Sequence, residues 1–198
     1  MCLIGKEEIV LKILKIGDLV AKIPIIQGGM GVGISMSSLA SSVANEGGIG
    51  VIAAAGIGMM RKTEKGLSLK DANISALRAE IQEARSKTGG ILGVNIMTAL
   101  TDFSDMVKAS VEEGIDIIFS GSGLPLNLPG LLNGNKKTKL VPIVSSGRAA
   151  GLISKRWIEK YDYVPDAFVV EGPKAGGHLG FKRDQIDKKE FSLETIVR

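Results

Sequence analysis

The 198-residue chain has one cysteine, Cys2, and one histidine, His178. One thiol leaves no internal disulfide, and one Cys with one His cannot build a zinc cluster. Aromatic residues make up only 4% of the chain, and its basic residues are scattered. Nucleic-acid binding calls for a basic face with stacking aromatics, so the sequence predicts no nucleic-acid partner. The densest basic cluster, Lys136, Lys137 and Lys139, follows Gly134 and Asn135 and reads as a solvated loop. Long apolar runs are missing as well. The uncharged stretch from Ile23 to Asn45 carries Pro24, Gln27, five serines and four glycines, too polar for a membrane span. The opening MCLIGKEEIVLKIL lacks the basic and apolar regions of a secretory signal. The expectation is a reducing, cytoplasmic setting with no membrane contact and no metal.

Glycine is abundant, with 26 residues, well above the roughly 7% of average usage. The glycines gather behind short apolar runs. These runs are Pro24–Ile26, Ile49–Ile52, Ile91–Ile96, Ile115–Phe119, Leu140–Val144 and Ala167–Val170. Short, β-branched and nearly continuous, they read as parallel strands buried on both faces. Amphipathic helical patterns lie between them over 37–46, 71–86, 102–113 and 148–160. In the second, Ile74, Leu77 and Ile81 face the core and Glu80, Glu83 and Arg85 face outward. Residues 125–135 suggest one short helical turn, LKILKIGDLVAKI suggests a hairpin around Gly17–Asp18 that plugs the bottom of a barrel, and FSLETIVR suggests a beginning helix.

Strand–helix alternation gives either an open doubly wound sheet or a barrel. The dinucleotide fingerprint G-x-G-x-x-G fails in both frames: Ile34 or Met36 stands where the third glycine belongs. GLLNGNKKT only imitates a phosphate-binding loop. Glycine after most strands, rather than after the first alone, suits a barrel whose loops converge on one active face. The fold class predicted is α/β, a TIM (β/α)8-type barrel of which about six β/α units are present, entered through an N-terminal hairpin. The whole of 1–198 is read as one incomplete domain.

Three motifs occur in order: PIIQGGMGVGIS at 24–35, GVNIM at 93–97 and VVEGPKAGGHLGF at 169–181. Together they resemble the nitronate monooxygenase family, also called 2-nitropropane dioxygenases, whose relatives include the flavin-containing enoyl-ACP reductases. The resemblance implies an FMN-dependent barrel. It implies that Gln27, Gly28, Gly29 and Met30 line the flavin through their backbone and that Asn95 contacts it by its side chain. It places Ala175, Gly176, Gly177, His178 and Gly180 beside the isoalloxazine, with His178 the catalytic base. A free imidazole titrates near pH 6.5, so a proton can be taken from carbon beside a nitro group close to neutrality. The implied substrates are a nitronate or nitroalkane and O2, giving a carbonyl compound and nitrite. In the related reductase chemistry, hydride from NAD(P)H would reach an enoyl thioester.

Several residues have plainer readings. Histidine in a glycine loop can be a surface residue, Asn95 can cap a strand end, and Met30 and Met97 can be core. Glu171 can pair with Lys174 or brace its loop. Ser145 and Ser146 can face the pocket or cap the next helix, and Gly121–Pro125 can form pocket wall. A barrel of this kind needs eight strands and typically about 250 residues. The expectation is therefore a chain that lacks the last two strands and their phosphate loops. It would bind FMN poorly alone, unless an oligomeric partner, such as a second copy, closes the sheet, and the alternative expectation is a non-catalytic truncated fragment.

Overall fold

A computed structural model describes residues 12–61, 66–178 and 180–198. A short antiparallel hairpin opens the described chain, β1 (Leu14–Ile16) against β2 (Leu19–Ala21), turning at Gly17 and Asp18. The part of the expected hairpin before residue 12 lies outside the described residues. A five-stranded sheet follows: β3 (Ile49–Ala53), β4 (Ile91–Met97), β5 (Ile117–Gly121), β6 (Lys139–Val144) and β7 (Val169–Val170). Every pairing is parallel and the spatial order is the chain order. A doubly wound sheet reverses direction at a switch point, whereas unbroken sequential order belongs to a (β/α)8 barrel. The architecture is α/β, a curled half-barrel with an N-terminal hairpin.

The helices are α1 (Ser37–Asn45), α2 (Leu69–Lys87), α3 (Phe103–Glu112), α4 (Gly147–Tyr161) and the short α5 (Leu193–Ile196). Each matches an expected helix within two residues, except that α5 realises only part of the C-terminal pattern. Residues 125–135 contribute a 3₁₀ turn, Leu128–Leu131. Among the described residues no helix is long and apolar enough to cross a membrane.

The strand expected at Pro24–Ile26 is reduced to one parallel bridge, Ile26 to Ile49. Two main-chain bonds hold it, Ile49 N–H to the Ile25 carbonyl (2.9 Å) and Gln27 N–H to the Ile49 carbonyl (3.0 Å). Pro24 has no N–H to offer a ladder, and the chain turns away at Gly28. The strand expected at Ala167–Val170 keeps only its last two residues.

Alternation along each strand splits the core in two. Ile52, Leu92, Val94, Ile96, Ile118, Leu140 and Val144 point outward and pack with α1–α4. Ile49, Val51, Ile117, Phe119 and Val141 point inward and meet Ile16 and Ala21 of the hairpin. The hairpin thus closes the bottom of the half-barrel, pinned by an Asp18–Lys139 ion pair of 2.5 Å. The inner face is left open above Phe119, at the ends where the strands lead into their loops.

Glycine and aspartate set this geometry. At Gly50 any Cβ would collide with the Ala40 backbone, so α1 lies directly on β3. Asp116, just before β5, accepts from Leu92 N–H (2.8 Å) and from Arg85 (2.7 Å). Asp166, ahead of β7, accepts from Leu140 N–H (2.9 Å) and Tyr163 (2.6 Å). In both cases a side chain occupies the first ladder position of the preceding strand. Glu80 corrects an expectation. Its position on α2 reads as outward, yet it is only 4% exposed. It accepts from Ser37 N–H (2.7 Å) and Arg61 (2.6 Å), capping α1, whose Met36 N-cap has no side chain able to do so.

Candidate functional site

Above Phe119 the inner face carries Asn95 and Met97 of β4, Gly121 of β5, Ile143 of β6 and Val169 of β7. Together they floor a cavity of about 1280 Å³ at the C-terminal ends of the strands. That volume exceeds the roughly 300–1,000 Å³ usual for small-molecule pockets, as suits a site open on one side. The walls come from two glycine loops, 28–32 after the bridging segment and 171–178 after β7. Residues 186–189 and 192–194 close the third side.

The first loop is built from Ser35, which is fully buried. Its Oγ donates to the Gly28 carbonyl (2.9 Å) and accepts from Met30 N–H (3.0 Å) and Gln27 Nε2 (3.0 Å). Gln27 also bonds both main-chain groups of Val51, donating to its carbonyl (3.0 Å) and accepting from its N–H (3.3 Å). The Gln27 side chain therefore fills the place of a missing strand partner beside β3. Gly29 lies against Asn95: a Cβ there would come within 2.8 Å of Asn95 Cγ. The half-buried Asn95 carboxamide lines the cavity and makes no side-chain hydrogen bond among the described residues.

The second loop starts from the end of the sheet, where Glu171 N–H bonds the Val144 carbonyl (2.8 Å). Glu171 lines the cavity, and burial pushes its carboxyl above the usual glutamate range. The surface pairing with Lys174 considered from sequence does not form among the described ion pairs. Ala175, Gly176, Gly177 and His178 follow, all exposed to the opening. Gly177 has φ of +89°, which an L side chain rarely adopts.

Eight of the ten candidate residues thus meet around one cavity: Gly28, Gly29, Met30, Asn95, Ala175, Gly176, Gly177 and His178. Gln27 and Gly180 lie outside its lining. Gly180 packs on Ser145, whose Cβ would stand 3.0 Å from an added methyl. Ser146, left open between pocket and cap, is the N-cap of α4 and accepts from Ala149 N–H (3.2 Å). Of the 121–125 stretch only Gly121 and Ser122 reach the cavity; the Pro125 carbonyl accepts from Trp157 Nε1 (2.9 Å). Sequence reasoning missed Ser35, although it ends the first motif. Among the described residues no group of three or more His, Cys, Asp or Glu side chains could hold a metal ion.

An apolar floor, an unpartnered carboxamide and loops with no side chain at Gly28, Gly176 and Gly177 fit a planar ring with polar edges. At these three glycines nothing lies within 4 Å of an added Cβ, so the space belongs to the cavity.

The chain matches the family model described as nitronate monooxygenase over residues 14–198. A curated relative from Mycobacterium tuberculosis is (3aS,4S,5R,7aS)-5-hydroxy-7a-methyl-1-oxo-octahydro-1H-indene-4-carboxyl-CoA dehydrogenase, 28% identical over 157 residues. The match covers 79% of this chain and 38% of that protein. Among solved structures, FabK from Thermotoga maritima is 30% identical with a TM-score of 0.62, covering 80% of this chain and 43% of FabK. Nitroalkane oxidase from Streptomyces ansochromogenes is 19% identical with a TM-score of 0.63, covering 82% of this chain and 50% of the oxidase. The chain spans half or less of the length of each of these relatives.

Proposed function

The chain belongs to the nitronate monooxygenase family, and from that premise we propose that it carries the flavin-ring side of an FMN-dependent oxidoreductase site that oxidises alkyl nitronates with O2 to carbonyl compounds and nitrite. One observation carries the reading: three sequence-distant segments, 28–30, Asn95 and 175–178, converge on one cavity at the strand C-termini. In (β/α)8 barrels that face holds the chemistry.

The residues divide the work. The 28–30 turn offers main-chain groups to the ring edge, and the Asn95 carboxamide offers a donor and an acceptor where charge on the ring changes. Ile143, Val169 and Met97 give the ring an apolar floor that excludes water. The bound flavin would supply the electron acceptance and the reaction with oxygen that side chains cannot perform. With a neutral nitroalkane His178 takes the proton from the carbon next to the nitro group, giving the nitronate, from a loop whose glycines let it approach the substrate closely.

A titration of the chain with FMN, followed by quenching of flavin fluorescence, tests the cofactor. Anaerobic mixing of the loaded protein with an alkyl nitronate tests the substrate: bleaching of the flavin is expected, and none with the nitronate would refute the oxidase reading. A second reading, NAD(P)H-dependent reduction of an enoyl thioester, draws on the relative whose name specifies an acyl-CoA and on the higher identity to FabK, 30% against 19%. Rapid bleaching by NAD(P)H with none by nitronate would favour it.

A further inference from the structure

The first glycine loop has a definite balance of hydrogen bonds. Gly28 and Met30 are exposed and Gly29 is half-buried, so main-chain groups of this loop left without a partner in the fold are open to water or to a ligand in the cavity. Met30 N–H is used twice, by the Gly28 carbonyl (3.1 Å) and by Ser35 Oγ (3.0 Å). The Met30 carbonyl accepts from Ser35 N–H (3.0 Å), and the Gly28 carbonyl accepts from Ser35 Oγ (2.9 Å). The Ser35 carbonyl in turn accepts from Ala53 N–H (2.9 Å), which fastens the hub to β3. The Gln27 carboxamide holds Ser35 from the other side while straddling Val51. What remains on the 28–32 wall without a partner among the described residues is the N–H of Gly28, Gly29, Gly31 and Val32 and the carbonyls of Gly29, Gly31 and Val32; of these, the Gly29 groups lie beside Asn95.

We infer that Ser35, held by Gln27, is a positioning residue: its hydroxyl consumes the Met30 N–H and the Gly28 carbonyl inside the fold and leaves the Gly28 and Gly29 amides, beside Asn95, open to a ligand. A hydroxyl has one proton and two lone pairs, and Ser35 uses all three on this single turn. Gln27 then acts through Ser35 and Val51 rather than by touching the ligand, which explains why it lies outside the cavity lining. Gly29 must be glycine because Asn95 occupies the volume beside it, so the donor turn and the carboxamide of β4 form one continuous polar edge.

The inference about the ligand rests on the flavin reading, while the inference about the turn does not, and the experiment separates the two. Amide hydrogen exchange is measured on the chain as it stands, on Ser35→Ala, and on Ser41→Ala, a second buried serine whose hydroxyl bonds Ser38 instead. Ser35→Ala is expected to accelerate exchange at Met30, whose N–H bonds the Ser35 hydroxyl, at least tenfold while Val51–Ala53 stay protected and Gly28 and Gly29, with no bond to lose, keep their rates. Ser41→Ala is expected to leave 28–30 unchanged. Titration with FMN followed by amide NMR is expected to shift Gly28 and Gly29 and spare Met30, and Ser35→Ala is expected to weaken FMN binding at least tenfold. Unchanged exchange at Met30 in Ser35→Ala, or acceleration spread evenly over β3 as well, overturns the positioning role. A shift at Met30 with none at Gly28 and Gly29 overturns the donor assignment. If FMN does not bind at all, the cofactor reading fails, and the exchange comparison still decides the role of Ser35.

Discussion

Gly29 and Glu171 occupy opposite walls of the same cavity, and each predicts a distinct response to a one-atom or one-group change. Gly29→Ala places a methyl against Asn95, so either the carboxamide or the turn must move. The expected result is at least a tenfold loss of FMN affinity by fluorescence titration, with a small change in Tm because the loop is partly exposed. Retained affinity would show that the polar edge is not needed. For Glu171 burial raises the carboxyl pKa. A raised acid is favoured in its neutral form by the fold, so its contribution is present below the unfolded value of about 4.5 and is lost as pH rises through the folded value. Glu171→Gln removes that loss. It is expected to raise Tm at pH 7 and to leave Tm at pH 4 nearly unchanged, which thermal melts at the two pH values check. At this scale the convergence of eight of the ten candidate residues on one cavity was legible, because glycine runs after apolar parallel strands gather at one end of the sheet. Ser35 was not legible: a serine closing a glycine run looks like any turn residue. Its importance comes from bonds to Gly28 and Gln27 seven and eight positions away.

Helices and strands responded differently to sequence reading. The amphipathic stripes of α1 to α4 follow local spacing, so their positions could be read almost to the residue. The bridging segment 24–26 could not, because apolar composition does not reveal that Pro24 and the Gly28 turn leave it only one bridge to β3. Glu80 failed for a related reason: spacing on α2 gives the face, but not the presence of an uncapped helix terminus opposite. That cap carries a prediction. Glu80→Ala leaves the Ser37 N–H without its acceptor and Arg61 with only Glu83. Hydrogen bonds to charged groups contribute about 1.5–3 kcal/mol each, so a loss of about 2–4 kcal/mol in urea unfolding is expected, with Glu80→Gln losing less. A second element-scale test is Trp157→Ala in α4. The indole is fully buried, packs edge-on to Tyr163 and donates to the Pro125 carbonyl. Loss of about 3–5 kcal/mol is expected, measured the same way.

For the molecule as a whole, two cores back to back explain why an open half-barrel has a defined inner surface: the helices bury one face, and the hairpin buries the lower half of the other. The links among these layers at the surface are ionic. Asp18 is held below the usual range by its bond from Lys139, joining hairpin to β6. Asp105 is lowered by its bond from Lys70, joining α3 to α2. Burial works against Glu113, but bonds from Arg78 and Gln82 outweigh it and keep that carboxyl low, again between α3 and α2. Glu83 is lowered by Lys87 within α2. A lowered carboxylate contributes stability that is present above its unfolded pKa and is lost as pH falls through the folded value. For these four groups the loss therefore begins below the ordinary values of 3.8 and 4.5 and deepens toward pH 3. Glu171 runs the other way, but one group opposes these four, and Glu194, lowered in the first turn of α5, adds a fifth. The urea midpoint is expected to fall between pH 6 and pH 3. Exposed pairs are screened by salt, so 0.5 M NaCl at pH 6 should reproduce part of the fall. The α2–α3 seam holds two of the four groups, so hydrogen exchange in α3 should accelerate before exchange in β4 and β5, whose amides sit in the parallel ladder. A midpoint that stays flat down to pH 3, or a strand that opens before α3, would mean that the layers are held by the two apolar cores alone.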